Sequence, residues 1–155
     1  MSVTVTLPEG FQYVGSAVVS TVLLLLIQSN VVGRYRKRAG IKYPQLYAEN
    51  AQVEKSADAL KFNCAQRAHQ NTLEYIPIAY VTTLVTATKF PVFAAGVLGW
   101  WSLSRIAYTR GYVTGDPQKR VNVIYISGSL GLLSSLVVST YLAGGWLWEG
   151  ISKLL

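Results

Sequence analysis

"RAHQNTLEY", residues 67–75, runs straight into "YIPIAYVTTLVTATKF", residues 75–90. The second stretch is apolar enough to lie in a bilayer; the first is not. Polar side chains are costly at membrane depth, so a helix that carries Arg67, His69, Gln70, Asn71 and Glu74 into such a run has a use for them. Arg67, Asn71 and Glu74 are spaced i, i+4, i+7 and share one helix face. Tyr75 borders that face. The stripe runs about 10 Å along the axis at roughly 1.5 Å per residue, and it sits at the mouth of the apolar run, not at its centre. An ionised carboxylate facing lipid would cost up to ~2.5–3.5 kcal/mol, the upper figure applying at the midplane. The stripe is therefore expected to face protein, water or a ligand. A polar network between helices would satisfy it. So would a pocket for a zwitterion about 10 Å long, with Arg67 taking a carboxylate and Glu74, helped by Asn71, taking an ammonium.

The rest of the chain has the same character. Of its 155 residues, 51% are hydrophobic and 14% charged, against about 25% charged in soluble domains. A membrane span needs about 20 apolar residues. Four stretches qualify, at residues 11–33, 67–90 (counted from the polar stripe), 91–112 and 121–147. They predict a single domain over 1–155, an all-α integral membrane protein built as a four-transmembrane-helix bundle. The second and third spans nearly touch at "ATKFP", where Pro91 suits the first turn of a helix because its missing N–H is not needed there. Pro77, inside the second, is expected to kink it and free the carbonyl of Leu73. The first span reads as an uncleaved helix and not a signal peptide: no basic residue precedes it and no A-x-A pattern follows it.

Charge placement gives the orientation. Eight of the fourteen basic residues, Arg34 to Arg67, lie between the first two spans or at the start of the second, and four, Arg105 to Arg120, lie at the end of the third or just after it. Only Lys89 and Lys153 fall on the other side. Basic residues mark the cytosolic face, so both longer loops are expected in the cytosol and both termini outside it. This asymmetry accounts for the net charge of +7 without nucleic acid, and the chain has neither zinc-finger spacing nor an RNP-like strand. One cysteine and one histidine exclude an intrachain disulfide and argue against a four-ligand zinc site. Cys64 reads as a packing residue in preference to a reactive thiol.

"GRYRKR", residues 33–38, ends the first helix with cations at its negative dipole end and serves at least as a topology anchor. "AGIKYPQLYAENAQ" reads as a loop, and from "SADALKFNC" the pattern turns helical again, so the second membrane helix starts in the cytosol. Small residues recur four apart at Ser127, Gly131 and Ser135 and at Ala95 and Gly99, a pattern that lets membrane helices pack closely. A second polar cluster, "RIAYTRGYVTGDPQKR", residues 105–120, falls at the same membrane face as the stripe. Its Arg105, Tyr108 and Tyr112 again share one helix face. An interfacial aromatic belt explains the tyrosines alone; two polar clusters converging on one face point more strongly to a site.

"FNCAQRAHQNTLEYIP" together with "RIAYTRGYVTGDPQKR" resembles the MAPEG family of membrane proteins in eicosanoid and glutathione metabolism, and within it the type-3 microsomal glutathione transferase branch. The resemblance extends over all four spans. It implies a homotrimer in the endoplasmic reticulum membrane, with glutathione, the co-substrate, bound between subunits toward the cytosol and no metal. It implies glutathione contacts at Arg67, Asn71, Glu74 and Tyr75, at Tyr108 and Tyr112, and at Arg36, with Arg120 activating the thiol. The implied activity is glutathione transfer to lipophilic electrophiles and reduction of lipid hydroperoxides. Some features depart from the relatives that make leukotriene C4. His69 stands where they have Gln, Lys37 where they have a second arginine, and the loop before Arg120 is one residue longer, which makes Lys119 its rival. The alternatives are a non-catalytic member that presents a fatty acid to a partner enzyme, and a small transporter using Glu74 as a coupling carboxylate. The first sits poorly with Arg67, Asn71, Glu74 and Arg120 together, and the second with a carboxylate far from the midplane.

Overall fold

The computed structural model describes residues 6–155. The first five residues, and with them the start of the expected 1–155 domain and its luminal N-terminal end, lie outside the described part. Five α-helices are present, in the order α1 (Gln12–Ala39), α2 (Asn50–Lys55), α3 (Ala57–Ala87), α4 (Pro91–Tyr112) and α5 (Val123–Ser152), with a short 3-10 turn at Pro117–Arg120 before α5. Among the described residues there is no strand.

The four long helices form the bundle. Helices α1 and α5 each pack against both α3 and α4, which also pack against one another. Helix α1 continues six residues past its expected end, through the basic run. It stops at Gly40, whose φ of +66° is the left-handed conformation that glycine adopts at little cost. The next loop holds one element absent from the sequence reading, the single-turn-and-a-half α2, where Gln52 Oε1 accepts the Glu49 N–H at 2.8 Å. Helix α3 starts where Ser56 Oγ accepts from the Ala59 N–H at 3.3 Å, ahead of the apolar run as expected. It continues as one element through Pro77. Helix α4 opens on Pro91. Helix α5 begins two residues later than expected, because Asn122 Oδ1 accepts from the Tyr125 N–H at 3.0 Å and so caps it.

Small residues set the helix spacing. Ala59, Ala65, Ala68, Ala79, Ala87 and Ala94 are all almost fully buried. Helices α4 and α5 approach closely at Gly128, where a Cβ would stand 2.1 Å from Ser104 Oγ. Ala95 and Ser135 of the expected small-residue pattern are buried, whereas a Cβ on Gly99 would meet nothing within 4 Å. Large apolar side chains such as Leu26, Val81, Leu103 and Val137 point outward, as suits a lipid or subunit surround. By length and hydropathy together, α1 and α5 are long and apolar enough to cross a membrane; the polar stripe of α3 and the arginines of α4 dilute theirs.

The basic segments gather at one end of the bundle. Arg36 of α1 stacks on Phe62 of α3 at 4.5 Å, and Gly115, after α4, faces the Lys61 side chain, whose nearest atoms would lie 3.7 Å from a Cβ there. Lys89 is at the other end, where it lines a cavity with Tyr141, Trp146 and Glu149.

Candidate functional site

The stripe on α3 is present as a connected polar surface. Arg67 Nη1 donates to Glu74 Oε1 at 2.6 Å and Nη2 to Oε2 at 3.3 Å. Asn71 Nδ2 donates to the same Oε2 at 3.2 Å. The expected 10 Å stripe is therefore bridged by its own side chains: Arg67 and Glu74 are both long enough to meet across the two turns between them. About half of each side chain is exposed, 45% for Arg67 and 52% for Glu74. The pair is thus reachable, and as an exposed pair it contributes little to stability.

Arg105 connects this surface to the interior. It is 1% exposed; its Nη2 donates to Asn71 Oδ1 at 2.9 Å and its Nε to Thr72 Oγ1 at 3.0 Å. Thr72 Oγ1 also accepts from Gln28 Nε2 at 2.9 Å, and Gln28 donates again to Thr109 Oγ1 at 2.8 Å. Helices α1, α3 and α4 are thereby joined by one buried polar seam. Neither Gln28 nor Thr72 belongs to a helical polar face that the sequence pattern marks. The one visible sign of the seam was a lone glutamine inside "LLLLIQSN", a polar group that must find partners when buried.

The aromatic cluster lies on the far side of Arg105. The Tyr108 ring is 4.0 Å from its guanidinium carbon, and Tyr112 meets Tyr108 edge to face at 5.6 Å. Tyr125 of α5, which the sequence did not single out, sits 4.8 Å from Tyr108. Next to Tyr112 comes Arg120, whose guanidinium carbon is 5.1 Å from the ring centroid and whose Nη1 donates to the Pro117 carbonyl at 2.7 Å. The turn bearing Arg120 is fixed by Gly111: a Cβ there would stand 2.0 Å from the Lys119 carbonyl oxygen. Lys119 itself points to Asp116 at 4.0 Å and is 64% exposed.

Tyr75 adjoins this group on its apolar side, and Arg36 stands apart from it. Tyr75 turns into an apolar cavity of about 250 Å³ between α3, α4 and α5, shared with Arg105, Tyr125, Trp101 and Leu132. Arg36 is 7% exposed; its Nη1 donates to the Gln45 carbonyl at 2.7 Å, and its guanidinium lies between Tyr43 and Phe62. His69 is half-buried, with no hydrogen-bond partner for Nδ1. Cys64 is buried; burial pushes its thiol above the usual range, and the positive charge of Arg120 pulls the other way. Among the described residues no group of three or more His, Cys, Asp or Glu could hold a metal ion.

The chain is an all-α bundle with apolar outer faces that carries, at one end, an exposed ion pair linked through Asn71 to a buried arginine and a tyrosine cluster. The family model of the MAPEG family matches residues 14–141, and the chain belongs to that family. Its members are membrane-bound and include glutathione transferases as well as non-catalytic proteins.

Proposed function

We propose that the protein is a membrane-bound glutathione transferase that also reduces lipid hydroperoxides with glutathione, of the type-3 microsomal branch. It works as a homotrimer in the endoplasmic reticulum membrane, with four spans and its site facing the cytosol. The observation that carries this reading is the accessible Arg67–Glu74 pair held by Asn71. A ligand with one charge would break the pair and leave the other residue unpaired. A ligand with both a carboxylate and an ammonium replaces both partners at once, so the pair selects zwitterions. Glutathione has two carboxylates, one ammonium and the thiol the chemistry needs.

The nucleophile is the thiolate. A free thiol has a pKa of about 8.5, and lowering it by about two units takes roughly 2.7 kcal/mol of selective stabilisation. One cation in a partly desolvated site can supply that. Arg120 is half-buried, held by the Pro117 carbonyl and directed at Tyr112; Lys119 is occupied with Asp116 in solvent. These placements favour Arg120 as the activator. The thiolate then attacks an electrophilic carbon: a C–S bond forms and the leaving group departs with its electron pair. With a hydroperoxide, the O–O bond breaks, the outer oxygen passes to sulfur as a sulfenic acid, and the remaining alkoxide takes a proton to become an alcohol. A second glutathione releases water from the sulfenic acid and forms the disulfide.

The apolar cavity at Tyr75 and Arg105 supports a lipophilic second substrate arriving from the bilayer. The half-exposed stripe and the outward-facing leucines and valines support association with further copies of the chain. Helix α4, with 22 residues, is about 33 Å long at 1.5 Å per residue, enough for a hydrocarbon core of about 30 Å.

The test is a panel of a lipid hydroperoxide, an aryl halide and leukotriene A4 with purified protein, each with and without glutathione. It is joined to calorimetric titration of glutathione into wild type, Arg67→Ala and Glu74→Gln. Glutathione-dependent turnover, with binding weakened by about an order of magnitude in both variants, is expected. Binding without turnover of any substrate would move the protein to the non-catalytic, lipid-presenting side of the family.

A further inference from the structure

The segment between α1 and α2 is fastened across the mouth of α3. Asn63 acts as a clamp: its Oδ1 accepts the Ala48 N–H at 2.7 Å, and its Nδ2 donates to the Ala48 carbonyl at 2.9 Å. Three residues earlier in the strap, Arg36 holds the Gln45 carbonyl at 2.7 Å. Ile41 and Ala48 are buried against Phe62. Both sides of Tyr47 are therefore fixed by side chains of the bundle itself, and the tyrosine has little freedom in where it points. Its hydroxyl donates to Gln70 Oε1. Gln70 is three residues after Arg67 and four before Glu74, so it belongs to the same helix face.

We propose that Tyr47 is a further ligand-binding residue of the stripe, donating its phenolic proton to the same carboxylate that Arg67 takes. The proposal rests on the reading of the stripe as a glutathione site. A turn of the Gln70 amide supplies the donor. With Nε2 in place of Oε1, Gln70 donates to the phenol oxygen, and the phenolic proton is released toward a carboxylate at Arg67. Burial raises the phenol's affinity for its proton, opposed by the neighbouring Arg67, so the group is a donor throughout the neutral range. An arginine and a hydroxyl together fix a carboxylate more strictly than an arginine alone, because each bond has its own direction. The strap then reads the ligand's acidic end, while Glu74, oriented by the Asn71 Nδ2 bond, reads its amine.

The experiment is calorimetric titration of wild type and Tyr47→Phe with three ligands: glutathione, γ-glutamylcysteine methylamide, which has no carboxylate at the glycine end, and the analogue in which 4-aminobutyrate replaces the γ-glutamyl residue, which lacks the other carboxylate. Tyr47→Phe keeps the ring and its packing. The expected result is about a tenfold loss of glutathione affinity that disappears with one of the two truncated ligands, the one missing the carboxylate Tyr47 holds. Equal losses with all three ligands, or no loss with any, overturn the proposal. A wild-type protein that binds none of them removes the glutathione reading itself, a separate outcome from a wild type that binds and a variant that binds equally well.

Discussion

Arg105 Nη2 donates to Asn71 Oδ1 at 2.9 Å, and this bond decides which way round the Asn71 amide sits. Arginine can only donate and a carboxylate can only accept, so Oδ1 must face Arg105 and Nδ2 must face Glu74. A residue buried in α4 thereby sets the donor pattern of an exposed surface on α3.

Arg105→Met should consequently do two things. It removes the donors to Asn71 and Thr72, and hydrogen bonds to charged groups contribute roughly 1.5–3 kcal/mol each, so the midpoint of thermal unfolding in detergent should fall. It also frees the Asn71 amide to rotate, so glutathione affinity should fall although Arg105 lies behind the stripe. Unfolding scans and titration on the same sample check both. Arg105→Lys should restore little, since one ammonium cannot reproduce the two directions of the guanidinium.

Arg120→Ala should cut turnover and leave glutathione affinity nearly unchanged, because the ligand is held mainly by Arg67, Asn71 and Glu74. Its rate should recover in part as pH rises toward and past about 8.5, where a thiol ionises unaided. The pH dependence of turnover, with the thiolate followed by ultraviolet difference absorbance, reports this. Lys119→Ala is the control and should behave as wild type. If the control shows the loss and Arg120→Ala does not, the activating cation is Lys119.

Gly111→Ala should displace the turn at Pro117–Arg120. Its Cβ would collide with a backbone carbonyl, which cannot move aside as a side-chain tip can, and overpacking of this sort costs about 1–3 kcal/mol. Activity should fall further than glutathione affinity. A variant with wild-type turnover would show that Arg120 needs no fixed turn.

Single cysteines at position 37 and position 89 should label from opposite sides of sealed microsomes, position 37 from the cytosol. Lys37 is the better probe of this segment because Arg36 is buried. The native Cys64 contributes little background at neutral pH. It is buried, and burial shifts its thiol upward against the pull of Arg120, so its labelling should be slow at neutral pH and rise as pH increases. Labelling of both introduced cysteines from one side would remove the four-span topology.

The four long helices were legible in the sequence because hydrophobic runs, Pro91 and the basic clusters are local signals. The face shared by Arg67, Asn71 and Glu74 was legible for the same reason, since helical spacing alone determines it. Contacts that reach across the fold were not. Gln28 meets Thr72 and Thr109 from 44 and 81 residues away, and no periodicity encodes such a pairing. The direct contact of Arg67 with Glu74 depends on side-chain reach, whereas the 10 Å estimate counted only backbone rise. Tyr47 was hidden for a third reason: a loop's path is set by its clamps, and Asn63 looked like one more polar residue at a helix start.

The contact of Gly111 with the Lys119 carbonyl also sets where the chain tolerates a change of length. Thr114 and Asp116 are exposed, so an extra residue there can bulge into solvent while the dock and the turn stay in place. Between Lys119 and Asn122 there is no such slack. The dock fixes one end and the Asn122 cap the other, and each residue added to a 3-10 turn rotates the chain beyond it by about 120°. A single insertion at that point would swing Arg120 away from Tyr112 and bring a different side chain to face the ring. Loop length on one side of the dock is free to drift; on the other it fixes how Arg120 faces Tyr112.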